Sequence, residues 1–269
     1  MKQQSLSLPT MAFGVSKKFW ISLAIVFWLY FVAINIPAVW GAYLITRTGD
    51  VGLSGVSGTI WSGRASLISV KVKQADYSLG QLTWSLDTFS LLLLKPCVNI
   101  KTEMDNQQFD GRICVGRKGS VTVSNANMNF PAELIQSQLP LAIDGQFSGH
   151  IDKLTLESNR LVDLHGKLSW LGAKVFNGTN WMTLGGFGAE MADDGKAGMS
   201  AHVFDVGSPM KTDVVLALLA PSGGSVKGTI VVNELFNREA KASSWLSMFA
   251  TQGAPDAQGN LPYTVDMNL

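Results

Sequence analysis

Leu67-Ile68-Ser69-Val70-Lys71-Val72-Lys73 and Tyr77-Ser78-Leu79-Gly80-Gln81-Leu82-Thr83-Trp84-Ser85-Leu86 decide the fold. In the first run Ile68, Val70 and Val72 fall on one side, and Ser69, Lys71 and Lys73 on the other. In the second, Leu82, Trp84 and Leu86 share a side. A period of two is that of half-buried antiparallel strands. Working outward, comparable stretches occur at about Val98–Glu103, Asp110–Gly116, Ser120–Asn127, Gly145–Ser158, Leu161–Leu171, Thr183–Met191, Gly198–Val206, Lys211–Leu219, Ser225–Val232 and Leu261–Leu269. The 27 glycines and only 15% charged residues suit many strands joined by tight turns rather than a helical bundle.

Few helices interrupt this pattern. Asp87 is a good N-cap for a short turn over Thr88–Leu94, which Pro96 ends. Phe130 to Gln136 has Pro131 where a first helical turn tolerates it, and Pro140 closes it. Asn233 caps a longer helix, Glu234 to about Phe249, with Leu235, Phe236, Trp245, Leu246 and Phe249 for an apolar face. Gln252 to Gly259 reads as a loop.

Upstream of the strands, Phe19 to Trp40 carries no Asp, Glu, Lys, Arg or His, and uncharged sequence continues to Thr46. A helix crosses a hydrocarbon core about 30 Å thick in about 20 residues. Trp20 and Trp40 then stand where interfacial aromatic belts lie. A cleaved secretory signal also begins with basic residues and an apolar run, but its apolar part spans about 7–15 residues and ends small-x-small. Cleavage after Ala42 would set bulky Trp40 at the −3 position; cleavage after Gly41, with Val39 there, stays open. The expected organisation is a polar cytoplasmic N-terminus at residues 1–18, a transmembrane helix at 19–40 and a β domain at 47–269. Lys2, Lys17 and Lys18 precede the span and no acidic residue occurs before Asp50, so the N-terminus stays inside and the β domain is exported. Those three lysines leave 18 of 21 basic residues against 20 acidic ones beyond the span, a net charge near −2. That part carries no basic footprint for nucleic acid.

The two cysteines, Cys97 and Cys114, both lie in the exported part. An oxidising compartment would join them, and two free buried thiols are the alternative. No CxxC occurs, which removes the usual redox and zinc signatures. No G-x-S-x-G and no P-loop are present. Gly185-Gly186-Phe187-Gly188 lacks a third fingerprint glycine, and Asp193-Asp194-Gly195 reads as a hairpin turn. His150, His165 and His202 have no neighbours at ligand spacing. No cofactor, no metal and no catalytic constellation are expected, so the chain is read as a non-enzyme.

Two fragments recur. Gly80-Gln81-Leu82-Thr83-Trp84 returns as Gly166-Lys167-Leu168-Ser169-Trp170, and Val56-Ser57-Gly58-Thr59-Ile60 as Val226-Lys227-Gly228-Thr229-Ile230, which suggests a weakly repeated β architecture. The run Gly55-Val56-Ser57-Gly58-Thr59-Ile60-Trp61-Ser62-Gly63 also resembles the signature of type II secretion system protein N, a family of the general secretion pathway of Gram-negative bacteria. The resemblance extends through Leu82-Thr83-Trp84-Ser85-Leu86 with the leucine cluster after it, and Pro131-Ala132 before Leu139-Pro140-Leu141. It continues through Gly166 to Trp170 and through Gly253-Ala254-Pro255-Asp256-Ala257-Gln258-Gly259. It departs at Asp266-Met267-Asn268-Leu269, where members often carry a glycine, and the cysteine pair maps to no family pattern.

The resemblance implies a non-catalytic inner-membrane accessory of a machine that exports folded proteins from the periplasm across the outer membrane. Its partners would be other secretion components, the inner-membrane platform or the secretin. Gly55, Gly58, Thr59, Trp61 and Gly63 carry over as a signature; as residues, the glycines suit bulges and the tryptophan a core. The expected fold is mainly β: one N-terminal transmembrane helix, then a large antiparallel, curled sheet with a few short helices. A second reading fits the same alternation. An apolar inner face could hold lipid, as in envelope proteins of the AsmA-like type.

Overall fold

The computed structural model describes residues 17–47, 49–72, 75–116, 119–139, 142–158, 160–176, 178–193, 198–219 and 223–268. The N-terminal residues 1–16, Lys73, Pro140, Asp194, Gly195 and Leu269 lie outside them. Helix α1 (Lys17–Ile34) is apolar and has no buried residue. It is the one helix among the described residues long and apolar enough to cross a membrane. A single helix through Trp40 does not form. Pro37 has no N–H for the helical ladder and disfavours helical geometry at Ile36, so the chain breaks at Asn35-Ile36-Pro37. It restarts as α2 (Ala38–Thr46), with Pro37 just before its first residue.

Strands follow as β1 (Val51–Ser54), β2 (Ser57–Gly58), β3 (Ser62–Val72) and β4 (Ala75–Asp87), then the short helix α3 (Thr88–Leu92). Next come β5 (Cys97–Met104), β6 (Gln107–Val115), β7 (Val121–Pro131), a 3-10 helix (Ala132–Gln138), β8 (Ile143–Glu157) and β9 (Arg160–Phe176). The chain ends through β10 (Trp181–Asp193), β11 (Gly198–Asp205), β12 (Met210–Leu219), β13 (Gly224–Val232), α4 (Glu234–Ala240), α5 (Ala242–Leu246), β14 (Thr251–Gln252) and β15 (Leu261–Asn268). All 15 strands join one antiparallel sheet in near-sequential order, β1-β3-β4 through β13-β15-β14, with β2 against β3. The sheet is open: β1 and β14 stand at opposite edges. A twisted sheet this wide curls rather than lying flat. Register shifts between β3 and β4, β6 and β7, β8 and β9, and β9 and β10 bend it further.

Two helical expectations change. The single helix from Glu234 is split, because Lys241 takes a left-handed φ of 48° and ends α4. Asn237 then accepts from the Ser243 N–H at 2.8 Å and starts α5. The turn after Pro131 is 3-10 rather than α-helical. Asn233 does cap α4, accepting from the Phe236 N–H at 2.7 Å, and Asp87 caps α3. The two-residue β14 stands just before the loop that follows Gln252, and residues 253–260 carry no strand.

The sheet's two faces differ. Over the C-terminal half the inner face is filled from within: Phe236, Ala240, Ala242 and Leu246 of α4 and α5 are buried with Ala173, Leu184, Met210, Val232 and Tyr263. Over the N-terminal half α2 and the 3-10 helix cover only part of it, through buried Ala38 and Ala132. Between the halves runs an aromatic ladder, one ring per strand from β7 to β10. Phe130 and Phe147 stack at 5.5 Å, Phe147 and Trp170 at 5.4 Å, and Trp170 meets Phe187 at 6.1 Å.

Candidate functional site

The break at Asn35-Ile36-Pro37 is where the signature sits. The last carbonyls of any helix lack partners inside it. Here those of Phe31, Val32 and Ala33 are met in turn. Asn35 returns its side-chain amide to Phe31 O at 2.8 Å and its backbone N–H to Val32 O at 3.2 Å. The Trp61 indole N–H donates to Ala33 O at 2.8 Å. The Ile60 N–H donates to Ile36 O at 3.1 Å, and Pro37 forms an isolated bridge with Thr59. Thr59-Ile60-Trp61 is thus a clamp on the elbow between α1 and α2.

The signature's other residues let the clamp form. Gly58 pairs with Gly63 across the β2–β3 turn, which the Thr59 N–H closes on Ser62 O at 2.9 Å. Gly58 has φ +95°, and a Cβ there would meet Ser62 O at 2.6 Å and Gly63 Cα at 2.8 Å. A Cβ on Gly63 would enter the Trp84 ring at 2.4 Å. Gly55 has φ +62° and would strike the Ser66 side chain. Trp84, lying over Gly63, donates its indole N–H to Ile60 O at 3.3 Å. All five signature residues named from sequence are therefore brought together. The glycines serve a tight turn and close approaches rather than the expected bulges, Gly58 facing Gly63 across the β2–β3 turn and Gly55 lying against Ser66, and half-buried Trp61 bonds the end of α1 instead of filling a core. What sequence reasoning missed is their counterpart, the carbonyls of Ala33 and Ile36. Only the proximity of Asn35-Ile36-Pro37 to the end of the apolar run could have hinted at it.

The recurring Gly-x-Leu-x-Trp fragment has a physical meaning as well. Trp170 donates to Asp144 O on β8 at 3.2 Å, and a Cβ on Gly145 would reach its Nε1 at 2.8 Å. Both tryptophans thus lie over a glycine of the preceding strand and bond to its neighbourhood, as Trp84 does with Gly63 and Ile60.

Beside the elbow the inner face opens into an apolar groove of about 500 Å³, lined by Val51, Leu53, Ile68, Phe109, Met128 and Phe130 among others. A second hollow of about 270 Å³ lies under α2, between Ala38, Gly41 and Ala42 and the sheet residues Leu86 and Val98. Ile45, Leu53, Leu82 and Ile100 line both.

The outer face is polar. One transverse row runs through the register from Arg64 by Thr83, Lys101, Asp110, Asn127, His150, Lys167, Glu190, His202, Val215 and Lys227 to Asp266. Lys167 and Glu190 pair at 2.8 Å. His150 lies 2.7 Å from Asn127 Oδ1 and 3.3 Å from Asp152, His165 is 3.1 Å from Asp163, and His202 is 2.8 Å from Asp213. Each histidine has its own exposed or half-buried partner. Among the described residues no three His, Cys, Asp or Glu side chains converge as metal ligands. Cys97 and Cys114 stand opposite each other on β5 and β6, with Cα atoms 4.0 Å apart and sulfurs joined at 2.06 Å. Beside them Arg112 pairs with Asp87.

The arrangement can hold, present and bind. The family model described as type II secretion system (T2SS), protein N matches residues 49–264. The match begins beyond α1 and α2 and takes in the signature and nearly the whole sheet. No curated protein and no solved structure matches the chain.

Proposed function

The chain belongs to the type II secretion system protein N family, and on that premise we propose that it is an inner-membrane accessory subunit, anchored by α1 and acting through contacts rather than catalysis. Its β domain faces the periplasm and engages other components of the secretion machine, the inner-membrane platform or the secretin. The observation that carries this reading is the clamp. Trp61, Ile60 and Thr59 tie the end of an apolar helix with no buried residue to the sheet. A flexible tether would suffice to keep a domain near a membrane. A clamped elbow sets its position and tilt, which a subunit docking onto a fixed machine requires. The basic residues Lys17 and Lys18 at the start of α1 support the cytoplasmic placement of the N-terminus.

Deletion with complementation tests the reading. Exported proteins should accumulate in the periplasm while the outer-membrane barrier stays intact, and the intact chain should restore export. A leaky outer membrane with normal export overturns it and would favour lipid handling by the inner groove instead.

A further inference from the structure

The leucine-rich turn after β4 is not used by any of this. Phe89, Leu92, Leu93 and Leu94 are 77%, 81%, 74% and 69% exposed, four large apolar side chains on one short tip. Soluble surfaces scatter such residues singly; a cluster of them marks an interaction surface. The tip is also firmly built. Asp87 accepts from the Phe89 N–H at 3.1 Å, the Lys95 N–H donates to Ser90 O at 3.0 Å, and the buried Ser90 hydroxyl accepts from the Cys97 N–H at 2.9 Å. The Cys97–Cys114 bridge follows directly.

Leu94 adds an independent observation. It has φ +54°, in the left-handed region where glycine or asparagine usually ends a helix. A bulky side chain held there is a backbone outlier, and such outliers concentrate at functional positions. The strained position carries an exposed leucine where a glycine would be conformationally easier.

The tip's place in the fold says what it meets. The Leu86 N–H, three residues before Phe89, donates to Trp61 O at 2.6 Å, and the Trp61 indole donates to Ala33 O in the last turn of α1. The tip therefore emerges from the same end of the sheet as the apolar helix, one strand away from the clamp. We propose that Phe89, Leu92, Leu93 and Leu94 insert into the outer leaflet of the bilayer that α1 spans, as a second membrane contact. Exposed Lys95 lies at headgroup level. This rests on the reading of α1 as a membrane anchor. With two points of contact, the helix and the tip, the domain cannot swivel about the elbow.

The test uses the full chain in phosphatidylethanolamine–phosphatidylglycerol vesicles with no other protein. A bimane label is placed through Leu93→Cys, or through Leu92→Cys in a second variant. Phe27→Cys in α1 and Lys227→Cys on the outer face serve as references. The native cysteines are joined and do not label. Labels at 92 and 93 should show blue-shifted emission, loss of intensity with doxyl lipids comparable to the Phe27→Cys label, and protection from iodide. If they instead behave like the Lys227→Cys label while the Phe27→Cys label stays lipid-quenched, the tip proposal is overturned and the anchor reading stands. That holds too if the tip becomes covered only when other secretion components are added, which would assign it to a protein partner. If the Phe27→Cys label is also open to iodide, the anchor reading itself fails.

Discussion

Trp61 is the residue on which the junction turns, because its indole N–H meets the Ala33 carbonyl at 2.8 Å while the other donor, the Ile36 N–H, stands at 3.5 Å. The Trp61→Phe substitution keeps an aromatic ring but removes the donor together with the pyrrole half of the indole. A net hydrogen bond of this kind is worth about 0.5–1.5 kcal/mol. The expected consequence is a looser elbow rather than an unfolded domain. Pulsed-EPR distances between a label in α1 and one on the sheet should broaden, with the β domain's own melting unchanged; an unaltered distribution removes the clamp from the account. Asp144 offers a second residue-scale prediction. The Lys174 ammonium, donating to it at 2.9 Å, and the Gly145 N–H, donating at 2.7 Å, hold its carboxyl below its ordinary value of 3.8. A carboxyl whose folded pKa is depressed adds stability above its unfolded pKa, and that contribution fades as pH falls through the folded value. The Asp144→Asn variant should therefore melt earlier than the parent at neutral pH and converge with it in acid. A gap independent of pH would assign the loss to packing instead.

Among the elements, α4 and α5 do for the C-terminal half of the sheet what no element among the described residues does fully for the N-terminal half. Leu246 on α5 is completely buried against Tyr263 and Val232. Leu246→Ala should cost about 2–5 kcal/mol, the range for a leucine deleted from a well-packed core. Urea unfolding followed by tryptophan fluorescence would read it, and a loss below the bottom of that range would mean the plug is dispensable. The strands themselves were legible from alternation, because a sheet with one face buried and one wet must alternate. Helix ends were less legible. The split at Lys241 depends on the Asn237–Ser243 hydrogen bond, a local contest that an apolar face from Leu235 to Phe249 does not reveal. The break at Pro37 was present in the letters, yet the uncharged run continuing to Thr46 hid it.

At the scale of the whole molecule, register is the organising variable. A one-residue slip anywhere would turn the outer charged row inward and the aromatic ladder outward, so each strand is held by both faces at once. The row from Arg64 to Asp266 and the ladder from Phe130 to Phe187 are cross-strand alignments that join residues far apart in sequence. The sidedness of the molecule rests on α1. An alkaline phosphatase reporter fused after Leu269 should be active, and a reporter active only in the cytoplasm would overturn the periplasmic placement.

By itself the sequence determined that this is a mainly antiparallel β protein with one apolar helix of membrane length and a protein N signature. Those properties are local: period two, an uncharged run, and a string of glycines and one tryptophan. Only the tertiary structure decided what the signature holds. Ala33 and Trp61 are 28 residues apart, and nothing in either's neighbourhood states that one will donate to the other. The same applies to the leucine tip. Its composition is plain in the letters, but its position beside the apolar helix follows from how β3 and β4 pair, and pairing is a property of the folded sheet.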